Sequence, residues 1–322
     1  MTRYLVTGVD GNLGSRVAKN MLQAVSGSQL VFSTPFPEKI DEAKKKEWKA
    51  EGVTLIKMDY RDRAQITKSF VDNKVDRVWM VCGTYIGLPR QIQHRNMFDA
   101  AVDAHIKHIT YTSQVGANRQ GYDQYVMPDH TFSEAYLKLS GLNYNIMRNN
   151  LFLENSFINA IKLAMSSDLE WVTNAGEGKA NFVAKDDSAR CAAALLLGKG
   201  EPNTAYDLCG KLINEKEICE LIASYSGIPF TFKKVDDEEF YDYLDARGLH
   251  RSSEVYTSGS PLMWCSNDLV TNEGSIGKGL MAVKSDAIKK LTGREPTDPK
   301  ELLETCSFAW RGSDADKKYN HK

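Results

Sequence analysis

Three glycines, Gly8, Gly11 and Gly14, stand at three-residue intervals in "LVTGVDGNLGSRVAKNML". They lie between an apolar run and a stretch in which Val17, Met21, Leu22 and Val25 recur at helical spacing. The chemistry this arrangement suits is the holding of a phosphate. The first turn of a helix offers unpaired N–H groups and the positive end of the helix dipole. Glycine removes the side chains that would keep a pyrophosphate at a distance, and Gly14 would also let the helix pack closely on the preceding strand. A glycine turn alone also ends strands for purely structural reasons. Its place after a strand and at the head of an amphipathic helix selects the nucleotide reading.

The other residues with potential chemistry are less organised. The cysteines, Cys82, Cys191, Cys209, Cys219, Cys265 and Cys306, show no CxxC and no Cys/His ligand spacing, so neither a disulfide framework nor a metal site is indicated, and a reducing cytoplasm is expected. His94, His105, His108, His250 and His321 likewise lack metal spacing and read as surface or satisfied core residues. With 41 basic against 42 acidic residues there is no global field to attract nucleic acid or an anionic membrane. The lysines of "EKIDEAKKKEWKAEG" are interleaved with glutamates on what reads as one solvated helix face. A small molecule is the expected partner, with the protein a monomer or homodimer. A strand pattern begins almost at once, leaving no room for a signal peptide, and no apolar run approaches the roughly 20 residues of a membrane span.

The elements that must position the glycine loop follow from hydropathy. Short apolar runs, "YLVTG", "QLVFST", "GVTLIKMD", "DRVWMVCG", "HITYTS" and "YNIMRNN", alternate with longer amphipathic stretches such as "RNMFDAAVDAHIKH" before residue 151. This is the pattern of parallel strands joined by crossover helices. Beyond it, "ANFVAKDDSARCAAALLLG" reads as a strand and a helix and "TAYDLCG" as one more strand. "DDEEFYDYLDARG" and "SDAIKKLTGREPTDPKELLETC" read as surface helices, and "RGSDADKKYNHK" as a frayed tail. The expected fold is α/β, a Rossmann-type doubly wound parallel sheet with a smaller, mainly C-terminal α/β substrate domain. The dinucleotide-binding part is assigned to residues 1–155, with 180–225 returning to it, and the substrate-binding part to 156–179 and 226–322.

The GxxGxxG spacing resembles the extended and atypical short-chain dehydrogenase/reductases. "KHITYTSQVGA" followed by "SGLNYNIMRNNLFLENS" is similar to the NmrA-like branch of that superfamily, which includes quinone and triphenylmethane reductases. The segments 205–244 and 281–303 match the C-terminal pattern of the same branch, so the resemblance spans nearly the whole chain. It implies cofactor contacts from Thr7, Gly8, Gly11, Asn12, Leu13 and Gly14 in the first loop. Asp59 and Tyr60 would lie beside adenine after the third strand, with Cys82 and Gly83 after the fourth and Asn150 and Leu151 after the sixth.

A nicotinamide site for NAD normally carries Asp or Glu at the end of the second strand, and one for NADP an arginine nearby. "LVFSTPFPEK" has neither; Ser33 and Thr34 are neutral donor candidates and Lys39 a candidate cation, although turn and surface roles suit all three. With the family habit, the missing acid favours NADPH, NADH remaining open.

None of the 14 tyrosines is followed by lysine four residues on, the pair that most enzymes of the superfamily use for proton transfer. That disfavours epimerisation or alcohol dehydrogenation by the usual route. "MPDHTFSEAYLKLSG" instead matches the NmrA-like pattern through His130 and Glu134. The resemblance implies His130 at the nicotinamide ribose, donating a hydrogen bond and available to relay a proton near neutrality; capping or packing of the helix is its structural alternative. Ser113, at the end of the fifth strand, takes the place of the superfamily's active-site serine and could polarise a carbonyl or cap a turn. Tyr125 is a further proton-donor candidate, and Tyr85, Phe152, Trp171 and Trp264 are candidates to line an aromatic-accepting pocket. The function implied is an NAD(P)H-dependent reductase of a conjugated or aromatic small molecule: a quinone, a dye, an enone or a lignan-type benzylic ether. The alternative is a dinucleotide-binding redox sensor without turnover.

Overall fold

In the computed structural model, which describes residues 1–83, 85–252, 262 and 265–311, all six apolar runs become strands. The first half of the chain runs β1 (Tyr4–Thr7), α1 (Asn12–Ala24), β2 (Leu30–Thr34), α2 (Glu42–Ala50), β3 (Thr54–Lys57), α3 (Arg63–Asp72), β4 (Arg77–Met80), α4 (Leu88–Asp103), β5 (His108–Gln114), α5 (Met127–Leu139) and β6 (Tyr144–Asn149). It continues through α6 (Leu153–Met165), β7 (Glu170–Thr173), β8 (Lys179–Ala180), α7 (Lys185–Leu196), β9 (Thr204–Leu208), β10 (Ile213–Asn214), α8 (Glu215–Ser226), β11 (Thr231–Lys234), α9 (Asp237–Asp245), α10 (Ser266–Gly277) and α11 (Ala287–Thr292).

Seven strands form one parallel sheet in the order β3-β2-β1-β4-β5-β6-β9. The chain leaves β1 in one direction to β2 and β3, then crosses to β4 on the other side. The C-terminal ends of β1 and β4 therefore flank the crevice where open α/β sheets take ligand. Because both faces are covered, β1 and β2 are buried at every position and read as unbroken apolar runs. One face packs on α1, α7 and α11 through Val17, Met21, Ala192 and Leu195; Trp48 of α2 closes it edge-on against Phe32 at 4.9 Å. The opposite face packs on α3, α4 and α5 through Phe70, Phe98, Met97 and Leu137. Apart from Trp48, α2 turns an exposed or half-exposed surface to solvent, as its interleaved charges require.

The second lobe joins a parallel β7–β11 pair and an antiparallel β8–β10 pair to α6, α8, α9 and α10. Its core centres on Trp171, Phe157 and Ile222, with a second cluster around Phe240 and Leu244. One expectation needs correcting: α11 is a short element with Ala287, Ile288 and Leu291 buried against the first face of the sheet, not a surface helix. Gly293, at φ +71°, ends it in the left-handed region, and Pro299 opens a separate 3₁₀ turn. The tail 312–322 lies outside the described residues. Among the described residues, no helix is long and apolar enough to cross a membrane.

Candidate active site

The glycine loop joins the end of β1 to the start of α1, and the structure gives each glycine a distinct reason. Gly8 adopts φ +62°, the left-handed region that disfavours a side chain. Gly11 is the N-cap of α1, and its N–H is donated to the Gly8 carbonyl at 2.9 Å. A methyl on Gly14 would stand 2.0 Å from the Gly8 oxygen and 2.9 Å from that of Thr7, so the helix can sit on the strand only with glycine there. Beside this cradle, at the first position of α1, Asn12 Oδ1 is buried without a hydrogen-bond partner among the described residues. Leu13 is packed into the core beneath. An exposed N-cap free of side chains at the β1–β4 crevice fits a dinucleotide pyrophosphate.

Around it, polar side chains tie the strand ends together. Thr7 Oγ1 accepts the Val81 N–H at 3.0 Å and the Tyr60 hydroxyl at 2.7 Å, and burial holds the Tyr60 hydroxyl well above its usual range. Arg61 clamps the Asp59 carboxylate through Nε and Nη2 and keeps it below the ordinary range. Ser33 and Thr34 are both buried. The Ser33 hydroxyl lies 3.5 Å from the Val6 carbonyl, and Thr34 Oγ1 accepts the Phe36 N–H at 3.0 Å. Lys39 lies over the Phe36 ring, 4.1 Å from its centroid.

The chemistry-bearing cluster lies beyond β4. The Gly83 N–H is donated to His94 Nε2 at 2.9 Å, so the proton of His94 is on Nδ1. That nitrogen meets Ser133 Oγ at 2.7 Å, and the Ser133 hydroxyl in turn is donated to the Asp129 carbonyl. The Tyr111 hydroxyl lies 3.4 Å from His94 Nδ1, a donor, and 2.9 Å from His130 Nδ1. Its own proton therefore goes to His130, whose remaining proton is on Nε2. Burial, then the charge of Arg90, pushes His130 down to about 3; burial also drives His94 well down and Tyr111 well up. Where the sequence suggested a histidine titrating near neutrality, burial here favours the neutral imidazole. With its proton on Nε2, such an imidazole can hydrogen-bond a ribose hydroxyl or a developing oxyanion.

One turn further along α5, the Ser113 hydroxyl is donated to Glu134 Oε1 at 2.8 Å. The same carboxylate takes Arg148 through two nitrogens and the amide of Asn118. Burial pushes the Glu134 carboxyl up, but Arg148 and Ser113 hold it below its ordinary value. The Ser113 proton is thus committed to Glu134. Tyr125 donates its N–H to Thr271, and its hydroxyl lies 3.5 Å from Ser252.

The pocket candidates separate. Tyr85 is 48% exposed at the mouth between β4 and α4. Cys82 is half-buried just past β4, and Gly83 is buried, its would-be Cβ facing the movable end of the Gln93 side chain. Asn150 is buried with its amide on the Met281 carbonyl, Leu151 O accepts from Val183 N–H, and Phe152 is half-buried with Lys185 Nζ 5.7 Å from its ring centroid. Trp171 is a core residue, 1% exposed, donating its indole N–H to Glu215. Trp264 lies outside the described residues. Sequence reasoning missed Tyr111 and Arg90; His94, read as a surface or satisfied core residue, is buried with both ring nitrogens engaged.

A glycine cradle at the switch point of a doubly wound sheet, opening on a neutral histidine held by a buried tyrosine, defines a dinucleotide-binding α/β protein. Residues 8–197 match the family described as NAD(P)H-binding, and the chain belongs to that family. An NmrA-like family domain-containing oxidoreductase of Aspergillus flavus is 25% identical over 321 residues, covering 96% of this chain and 97% of that one. The solved NADPH-dependent quinone oxidoreductase of Escherichia coli, complexed with NADPH, superposes with a TM-score of 0.80 at 25% identity over 94% of this chain and 99% of that one. The Citrobacter sp. triphenylmethane reductase complexed with NADP(H) gives 0.77, again at 25% identity and with the same coverage of both chains. The resemblance to the NmrA-like branch and the expected fold are borne out.

Proposed function

We propose that the protein is an NADPH-preferring reductase that passes hydride to a conjugated or aromatic small molecule. The observation that carries this reading is the neutral His130, its Nδ1 engaged by Tyr111 and its Nε2–H left to donate, on the same C-terminal edge of the sheet as the glycine cradle. When bound, NAD(P)H supplies a hydride from C4 of nicotinamide. The backbone of Gly8, Gly11 and Gly14 would hold its pyrophosphate, and His130 would hold the nicotinamide ribose, fixing the ring's position. Ser113 spends its proton on Glu134, and no Tyr/Lys pair exists, so the site suits acceptors that need little acid catalysis. Quinones, cationic dyes and conjugated enones meet that condition. The quinone oxidoreductase and the triphenylmethane reductase that this chain resembles agree with it. NADPH is favoured because no acid stands between Ser33 and Phe36 to repel a 2′-phosphate and Lys39 is close by.

The test is oxidation of NADPH and NADH followed at 340 nm against quinones, triphenylmethane dyes, enones and benzylic ethers, with cofactor dissociation constants measured on the same sample. Turnover of one class, with NADPH bound at least tenfold more tightly than NADH, is the expected result. Tight cofactor binding with no turnover of any class would transfer the assignment to a redox sensor.

A further inference from the structure

Arg90, in the first turn of α4, is 5% exposed, yet its guanidinium is poorly used. Its Nε has no hydrogen-bond partner, and its nearest carboxylate oxygen among the described residues, on Asp129, is 3.6 Å away. Asp129 is already satisfied without it: Oδ2 takes the Gly87 N–H at 2.8 Å and Oδ1 the Gln91 amide at 2.9 Å. Burying a cation without a close, hydrogen-bonded partner is unfavourable, and such an arrangement is expected where a ligand completes it. The location indicates which ligand. Asp129 immediately precedes His130 on α5, so Arg90 lies where α4 meets α5 beside the proposed nicotinamide site, and its charge is also felt at Asp268 of α10.

Resting on the reductase reading, we infer that Arg90 is the oxyanion-binding residue of the acceptor site, and that the acceptor is a carbonyl compound of the quinone or enone class and not a cationic dye. When hydride adds to such an acceptor, two electrons enter its conjugated system and the C=O π bond breaks. The oxygen takes up the negative charge, and a proton from water then completes the hydroquinone or ketone while the cofactor leaves as NAD(P)⁺. A preorganised guanidinium at that oxygen stabilises the charge as it forms. A triphenylmethane cation loses its charge on reduction, develops no oxyanion and is repelled by Arg90 before it reacts.

The experiment compares wild type with Arg90→Met, Arg90→Lys and Asp129→Asn, each checked for folding by circular dichroism. Turnover is measured with 1,4-naphthoquinone and with crystal violet. Binding of anionic 2-hydroxy-1,4-naphthoquinone is measured on the NADP⁺ complex, where no reduction occurs. Arg90→Met should cut naphthoquinone kcat by about a hundredfold, in the range seen for removal of one oxyanion donor. It should also weaken the anion at least tenfold and leave crystal violet kcat/KM unchanged or higher; Arg90→Lys should restore part of the anion affinity. Asp129→Asn, which keeps Arg90, should keep the anion affinity. Unchanged anion binding in folded Arg90→Met overturns the inference. Equal loss for quinone and dye does so too, as does an Asp129→Asn defect matching that of Arg90→Met. If no acceptor is turned over at all, the reductase reading fails, while anion binding still decides the role of Arg90.

Discussion

The closest approach in the molecule's candidate site gives its sharpest prediction. A methyl on Gly14 would lie 2.0 Å from the carbonyl oxygen of Gly8, 2.5 Å from its carbon and 2.9 Å from the oxygen of Thr7. Carbon and carbonyl oxygen settle at about 3.3 Å, so α1 and the loop must part by roughly 1.3 Å. Every obstacle is backbone, so no rotamer change relieves it. Overpacking of this kind costs about 1–3 kcal/mol, and the upper end applies here. At about 2 °C per kcal/mol for a chain of this size, Gly14→Ala should melt about 4–6 °C lower. Gly11 provides the control within the same loop. At φ −86° and with its would-be methyl 3.3 Å from the Gly8 oxygen, Gly11→Ala should leave Tm within about 1 °C, and Gly11→Val should still fold. Because Gly11 is exposed at the cradle, Gly11→Val should nevertheless abolish NADPH binding, read by isothermal calorimetry on the folded variant. A Gly14→Ala protein with wild-type Tm would refute the packing argument, and a folded Gly11→Val protein with unchanged affinity would refute the cradle.

Two further outcomes follow from buried charge. His94, His108 and His130 all have depressed pKa values, His108 pushed down to about 4 and His130 to about 3, with burial the leading cause in each. Between pH 6.5 and those values the unfolded chain binds protons that the folded one refuses, so stability is complete above pH 6.5 and is lost as pH falls. The slope is at most about 1.4 kcal/mol per pH unit for each histidine. Urea midpoints between pH 7 and 4.5 should fall accordingly, less steeply in His130→Gln; a midpoint flat from pH 7 to 5 would contradict the assignments. Glu134→Gln removes the charge opposite Arg148, whose side chain is only 13% exposed. Breaking such a pair costs about 3–5 kcal/mol, which thermal melts should register, and pairing the change with Arg148→Met should recover much of the loss. A single variant that melts with wild type would show that the bridge contributes nothing.

The strands and the glycine loop were legible because each is a local signal. An apolar run of five residues and a glycine every third position need no knowledge of what packs where. The uses of Ser33 and Trp171 were not legible for the opposite reason. Whether the Ser33 hydroxyl faces a ligand or a neighbouring carbonyl depends on the pairing of β2 with β1, which brings the Val6 carbonyl to it. Trp171 needed the position of Glu215, 44 residues on, to identify it as core. The length of α11 depended on how Gly293 and Pro299 divide a segment whose apolar periodicity runs on.

His130 shows how such a nonlocal site could be found from sequence. On β5, Tyr111 and Ser113 are two residues apart and face the same side; on α5, His130 and Glu134 are one turn apart and face the same side. Two residues of strand advance about 6.7 Å and four of helix about 6.0 Å, so two rungs between these elements can be in register at once. Both are: the Tyr111 hydroxyl meets His130 Nδ1 at 2.9 Å and the Ser113 hydroxyl meets Glu134 Oε1 at 2.8 Å. His130 and Glu134 are therefore each set by a hydroxyl on the strand. The pairs "YTS" and "HTFSE" carry this information jointly, although neither does so alone. The same ladder explains why Ser113 and His130 have different tasks despite their proximity. The rung with a carboxylate consumes its hydroxyl proton and anchors Arg148. The rung with an imidazole passes its proton to Nδ1 and leaves Nε2–H to donate elsewhere.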